Sequence, residues 1–205
     1  MARLIDKDEK KRHIAIAAID LFAEHGVAKT SVEAIAKAAE VGKGTVYLYF
    51  NTKEEIIVEI WAHVQEILDA DMGRRFEEAC SYEEKIRIFF DFSSLHHQAG
   101  LVEKLTKIYT MYLSIVLLGE NKTLRQDFKE HILNDGLTIK ALLDEGVKAG
   151  EFKAVNTLQI ARTLYLVKEG ILILGLAMDL SIATMRERLD EQLEYILSTI
   201  RKDRR

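Results

Sequence analysis

Proline is absent from all 205 residues, and cysteine occurs once, at Cys80. The first absence removes the commonest helix breaker from a chain dominated by Ala, Leu, Ile, Glu and Lys, so helices are expected throughout. The second excludes an intramolecular disulfide framework and makes a reducing cytoplasm the simplest compartment. Long apolar runs are missing as well: the longest candidate, "GILILGLAM", falls short of the roughly 18 residues that would indicate a membrane span. The opening "MARLIDKDEKKRH" has no apolar signal-peptide core. These observations lead to an expectation of an all-α, soluble, cytoplasmic protein with no membrane partner, long enough to bury a substantial core.

Positive charge is also in short supply. The formal net charge is −4, which argues against a chain coated with nucleic acid. The distribution is uneven, however: residues 1–53 hold 9 Lys+Arg against 7 Asp+Glu, and the remainder holds 20 against 26. That asymmetry is compatible with a small nucleic-acid-binding head on an acidic body.

Clusters that would support catalysis or metal binding are lacking. His96 and His97 are adjacent, so on one helix they point about 100° apart and do not readily share a metal. Glu59 and His63 stand four apart with no second such pair facing them, and the Glu-x-x-His spacing of carboxylate-bridged bundles does not occur. Cys80 has no resolving partner. Neither an enzyme nor a metal or other cofactor is expected.

What is present is helical periodicity. Residues 8–25 place Ile14, Ala17, Ala18, Leu21 and Phe22 at helical spacing, and Gly26 follows as a stop. "TSVE" fits a capping box in which Thr30 opens a second helix to about residue 39 and Glu33 reaches back. "KGTVYLYF" is barely two turns, too short to be stable alone, and must be held by packing through Val46 and Phe50. "NTKEE" starts an element of some 25 residues reaching about Glu78, capped by Asn51 or Thr52. Further helices are expected at about 82–98, 101–118, 123–149, 157–179 and 182–202.

Two short helices joined by a tight turn and braced by a preceding amphipathic helix make a helix-turn-helix unit, whose second helix enters the major groove. Gly42 and Gly44 remove side chains where that helix must approach the DNA backbone, leaving free N–H groups toward an anion. Lys43 can reach phosphate or a guanine edge, and Thr45 can donate to phosphate or touch a thymine methyl. Tyr47 and Tyr49 offer hydroxyls on rigid rings, and Lys53 adds a phosphate contact from the flank. "KKR" at residues 10–12 reads either as a phosphate-binding arm or as a solvated charge run.

These stretches, "AAIDLFAEHG" and "TSVEAIAKAAEVGKGTVYLYFNTKEEII", together with the length, resemble the TetR family of bacterial transcriptional repressors over about the first 60 residues. The resemblance implies that Thr30, Lys43, Gly44, Thr45, Tyr47, Tyr49 and Lys53 fall on DNA-contacting positions. It also implies a helical body that dimerises through its last two helices, here residues 157–202, and holds a small-molecule pocket. The organisation is then a DNA-binding domain over 1–53 and a ligand-binding and dimerisation domain over 54–205. Two positions depart from the family pattern: Glu40 stands in the turn where glycine is frequent, and Gly42 stands where a serine commonly caps the recognition helix.

In the body, Trp61, Phe92, His96, Tyr109, Tyr112, Tyr165 and Glu169 mix aromatic surface with polar anchors, the usual composition of a small-molecule site, although each also reads as ordinary core. Glu169 beside Lys168 is either a ligand anchor or part of a salt bridge at the dimer seam. Gly170 and Gly175 on the same helix permit close helix approach. The expected protein is therefore a homodimeric repressor that binds double-stranded DNA at a palindromic operator and is released by a partly apolar small molecule. The alternatives are a ligand-independent DNA-binding regulator or activator, and a helical binding module without DNA binding.

Overall fold

A computed structural model describes residues 7–91, 101–119 and 122–202. Phe92 and His96 lie outside the described residues, so their expected place in a ligand site has no structural counterpart here. Among the described residues there are ten helices and no strand; one isolated antiparallel bridge joins Phe152 and Arg201. No described helix is long and apolar enough to cross a membrane. The chain forms two compact units: residues 1–68 with 95–120, and residues 69–94 with 121–205.

The first unit opens with α1 (Lys7–Ala17) and α2 (Ile19–Lys29), joined at Ala18, which keeps right-handed backbone angles of −86° and −11°. Gly26, at φ 73°, breaks α2 where the sequence placed a stop. Then come α3 (Val32–Ala38), α4 (Lys43–Tyr49), α5 (Lys53–Glu78), of which residues 53–68 belong here, and α7 (Leu101–Leu118), which packs on α2. Ile14, Phe22, Ile35, Ile56, Ile57 and Ile60 are almost wholly buried. Burial of such side chains, at about 1.5–3 kcal/mol each, supplies the cohesion that helices as short as α3 and α4 cannot generate alone.

α3 is capped by Ser31, whose hydroxyl accepts from the Ala34 N–H at 3.1 Å. The capping box expected from Thr30 and Glu33 does not form. Thr30 ends α2 instead: its hydroxyl donates to the carbonyls of Gly26 at 2.8 Å and Leu21 at 3.2 Å. Thr52, of the two candidates, caps α5 by accepting from the Glu55 N–H, and the Glu55 carboxylate accepts from the Asn51 N–H.

The second unit holds the end of α5, α6 (Tyr82–Phe89), α8 (Lys122–Lys148), α9 (Thr157–Ala177) and α10 (Ile182–Ile200). Its core gathers Ile86, Ile139, Leu143, Phe152, Leu193 and Leu197. Gly146 lets the Phe152 ring lie directly on α8: a Cβ there would stand 2.4 Å from ring carbons. Gly175 admits Met185 of the same chain's α10, whereas a Cβ at Gly170 would meet nothing within 4 Å. At Gly175 the close approach is to α10 of the same chain. Along α9 and at its C-terminal cap the side chains of Leu158, Leu166, Ile173, Leu174 and Met178 are exposed, together with those of Gln159 and Arg162.

Candidate nucleic-acid interface

The turn from α3 to α4 is built by backbone hydrogen bonds. The Glu40 N–H donates to the Lys37 carbonyl at 3.2 Å and the Val41 N–H donates to the Ala36 carbonyl at 2.9 Å. This is a Schellman stop, which requires a left-handed residue at its centre; Glu40 supplies it with φ 51°. Gly42, at φ −70° and ψ 148°, then opens α4 without a side-chain cap. On one face of α4, Val46 is buried against the unit's core, and Phe50 is buried just past its end. Lys43, Gly44, Tyr47 and Leu48 are exposed, while Thr45 and Tyr49 are half-buried.

Of the residues expected to contact DNA, Lys43, Gly44, Thr45, Tyr47 and Tyr49 share this short helix. The Lys43 ammonium donates to the Glu33 carboxylate of α3 and lies 5.9 Å from the Tyr47 ring centre. Their hydrogen bond pulls the Glu33 carboxyl below its usual range and raises the Lys43 ammonium. Thr30 is different: at 2% exposure, with its hydroxyl occupied by two carbonyls, it has no surface to offer a phosphate. Lys53 also has an internal task, because its ammonium donates to the carbonyls of Val27 at 2.5 Å and Thr30 at 2.9 Å at the end of α2. The basic run at residues 10–12 is likewise engaged, with Lys11 2.5 Å from Glu59 and Arg12 2.8 Å from Glu66 on α5.

Two exposed residues on this face were not assigned to DNA contact from the sequence. Leu48 is 78% exposed, the most prominent side chain on α4. The signal was available, since Leu48 lies four residues after Gly44 and next to Tyr47. Glu33, 61% exposed at its side chain, was assigned to a cap.

The expected ligand-contacting residues fall into two groups. In the first unit Trp61 meets Tyr109 with ring centres 4.6 Å apart and Tyr112 at 5.6 Å; both tyrosines are buried. In the second unit Tyr165 and Lys168 are buried on α9. The Lys168 ammonium lies 3.2 Å from Glu169, 3.6 Å from Asp135 and 4.5 Å from the Tyr165 ring centre. Burial pushes the Tyr165 hydroxyl up, reinforced by the Glu169 and Asp135 charges and by its hydrogen bond with Glu169. Glu169 is therefore held by two residues of its own helix. Among the described residues no group of three or more His, Cys, Asp or Glu is placed to hold a metal ion.

Comparison with known proteins bears directly on this geometry. The family described as bacterial regulatory proteins, tetR family, matches residues 14–60, which span α3, the turn and α4. The fatty acid metabolism regulator protein of Bacillus subtilis is 31% identical over 163 residues, covering 77% of this chain and 78% of that protein. The crystal structure of a TetR transcription regulator from Haloarcula marismortui superposes with a TM-score of 0.78 at 15% identity, over 95% of this chain and 99% of the other. The SmeT–triclosan complex gives 0.69 at 20% identity, over 95% and 92%. With the helix-turn-helix unit in place, the chain belongs to the TetR family of transcriptional regulators.

Proposed function

We propose that the protein is a homodimeric repressor that reads a palindromic operator through α4 and is released by a partly apolar small molecule. The observation that carries this reading is the two-sided character of α4: one face anchored by Val46, the other presenting Lys43, Gly44, Tyr47 and Leu48 to solvent. Residues 1–53 form the DNA-reading part in this account, and residues 54–205 the ligand-binding and dimerisation part. Tyr47 and Thr45 donate hydroxyls to phosphates, and Leu48 offers an apolar contact to a thymine methyl. Lys53 acts indirectly, by holding the end of α2 beneath Thr30.

Dimerisation is supported by the exposed apolar side chains Leu158, Leu166, Ile173, Leu174 and Met178 along α9 and at its cap. Several large apolar side chains left exposed on one element point to an association site. A two-fold dimer places its recognition helices one helical turn of DNA apart, about 34–36 Å. A ligand seated among the aromatic side chains of Trp61, Tyr109 and Tyr112 would bear on α5, which runs through both compact units. A coupling of about 1–3 kcal/mol changes operator affinity 5- to 150-fold. Because SmeT is recorded with triclosan and the Bacillus subtilis relative is named for fatty acid metabolism, fatty acids and apolar phenols are the first ligands to screen.

The test is fluorescence anisotropy with DNA flanking the protein's own gene, over a salt series, for the wild type and Tyr47→Ala. If the dimer makes about 6–10 phosphate contacts, affinity falls about 10³- to 10⁵-fold between 50 and 200 mM salt. Binding that is insensitive to salt, or unchanged in the variant, would remove α4 as the reading helix. Ligands that leave operator affinity unchanged would favour the switchless regulator.

A further inference from the structure

A carboxylate on a surface that meets DNA is unfavourable unless it has a partner there. Glu33 stands on that surface: it projects from α3 beside the recognition helix, with half or more of both its side chain and that of Lys43 exposed. Surface ion pairs of this kind add little to stability, so folding alone gives a weak account of the pair. Its chemistry has a counterpart in the major groove. Guanine presents two acceptors, N7 and O6, and the cytosine paired with it presents the N4 amino donor. Guanine O6 and cytosine N4 are hydrogen-bonded to each other, so an acceptor and a donor are neighbours on the groove edge, as ammonium and carboxylate are on the protein.

We infer that the bonded side chains of Glu33 and Lys43 together read one G·C base pair in each half-site, Lys43 donating to guanine and Glu33 accepting from cytosine N4. This rests on the proposal that α4 enters the major groove, and it adds a residue of α3 to the reading set. An ammonium has three donors, so Lys43 can keep its bond to Glu33 while engaging O6 or N7. The Lys43 bond uses one carboxylate oxygen of Glu33, and the inference gives the second, on a side chain 61% exposed, to cytosine. A T·A pair fits worse: the ammonium would find one acceptor beside a methyl group, and the carboxylate would meet the adenine amino donor next to the N7 acceptor. G·C therefore satisfies both charges, and T·A leaves each against an unfavourable neighbour.

Selection of bound duplexes from random DNA, using the full-length protein, tests the inference with three variants: Glu33→Ala, Glu33→Gln and Lys43→Ala. Both side chains are well exposed, so the variants are expected to fold, and circular dichroism melting checks this. The wild type should enrich a palindrome with a G·C pair at one fixed position per half-site. Glu33→Ala and Lys43→Ala should each lower the preference at that same position by roughly tenfold. Glu33→Gln should move it toward T·A, with adenine in place of the cytosine, because a carboxamide pairs with adenine N6 and N7. A wild-type palindrome whose every position survives in the Glu33 variants overturns the inference and leaves the helix-turn-helix reading intact. So does tighter binding of all DNA by Glu33→Ala with unchanged base preference, which would make Glu33 a simple repulsive charge. If the wild type enriches no sequence, both the DNA-reading proposal and the inference fall.

Discussion

Single residues account for the clearest strain in the molecule. Glu40 and Asp179 sit at the left-handed position of Schellman stops, with φ of 51° and 53°. In the second, the Leu180 N–H donates to Gly175 and the Asp179 N–H to Leu176. A side chain in that conformation costs about 1–2 kcal/mol relative to glycine. Glu40→Gly and Asp179→Gly should each stabilise the fold by about 1 kcal/mol, raising Tm by roughly 2–4 °C in a scanning calorimeter. A loss in Tm would show that the side chain makes compensating contacts in the native state. Residue identity is also where sequence reasoning was weakest. It located the turn and the inward side chains Val46 and Phe50, because both follow from spacing. It mistook Thr30 for the cap of α3 and did not foresee that Lys53 bonds the carbonyls ending α2, because a hydroxyl or ammonium has several possible partners and periodicity does not choose among them. Ser31 performs the capping one residue later, and the carbonyls ending α2 hold Lys53.

At the scale of elements, the start of α6 is tied down by charge. The Glu151 carboxylate accepts from the Tyr82 and Glu83 N–H groups, satisfying two of the open donors at that helix end. Glu83 accepts in turn from Arg201 at 2.7 Å, just past α10, and from Arg87 at 2.8 Å. Hydrogen bonding from Arg201, aided by Arg87 and opposed by burial, brings the Glu83 carboxyl from its ordinary 4.5 to about 2. A depressed carboxyl stabilises the fold fully above the unfolded value, and that contribution is lost as pH falls from about 4.5 toward 2. Urea denaturation at pH 7 and pH 3 should therefore show Glu83→Gln destabilising at the higher pH, with a reduced difference at the lower, where part of the ion pair survives; equal effects would exclude the ion pair as the cause. Gly146→Ala is expected to cost about 1–3 kcal/mol through overpacking against Phe152, read as a lower urea midpoint. Helix ends were legible to within a few residues in α5, α7, α8, α9 and α10, since capping residues and glycines mark them. The partners of Glu83 were not, because Arg201 lies 118 residues away.

Across the whole molecule, the lack of proline and the helical periodicity foretold an all-α chain, and its opening motif foretold the family. Composition could not identify which apolar face stays uncovered. On α9, Leu166 is 71% exposed and Leu174 62%, so the proposed dimer has a direct test. Leu166→Glu with Leu174→Glu should shift the protein to a monomer in sedimentation velocity, with operator binding lost and helical content retained. A dimer that persists would move the association surface elsewhere.

Lys43 is the only cation within the seven residues of α4, and in the free protein it is bonded to Glu33. Its consequence is kinetic. A genome offers about 10⁶–10⁹ competing sites to any DNA-binding protein, and a recognition helix with an unmasked ammonium would linger on all of them through phosphates. In the proposed repressor, the Glu33 bond weakens the pull of Lys43 on the phosphates of arbitrary sequence and leaves the hydroxyls of Thr45 and Tyr47 as the phosphate donors of α4. Shorter stays on random DNA would shorten that repressor's search for the operator.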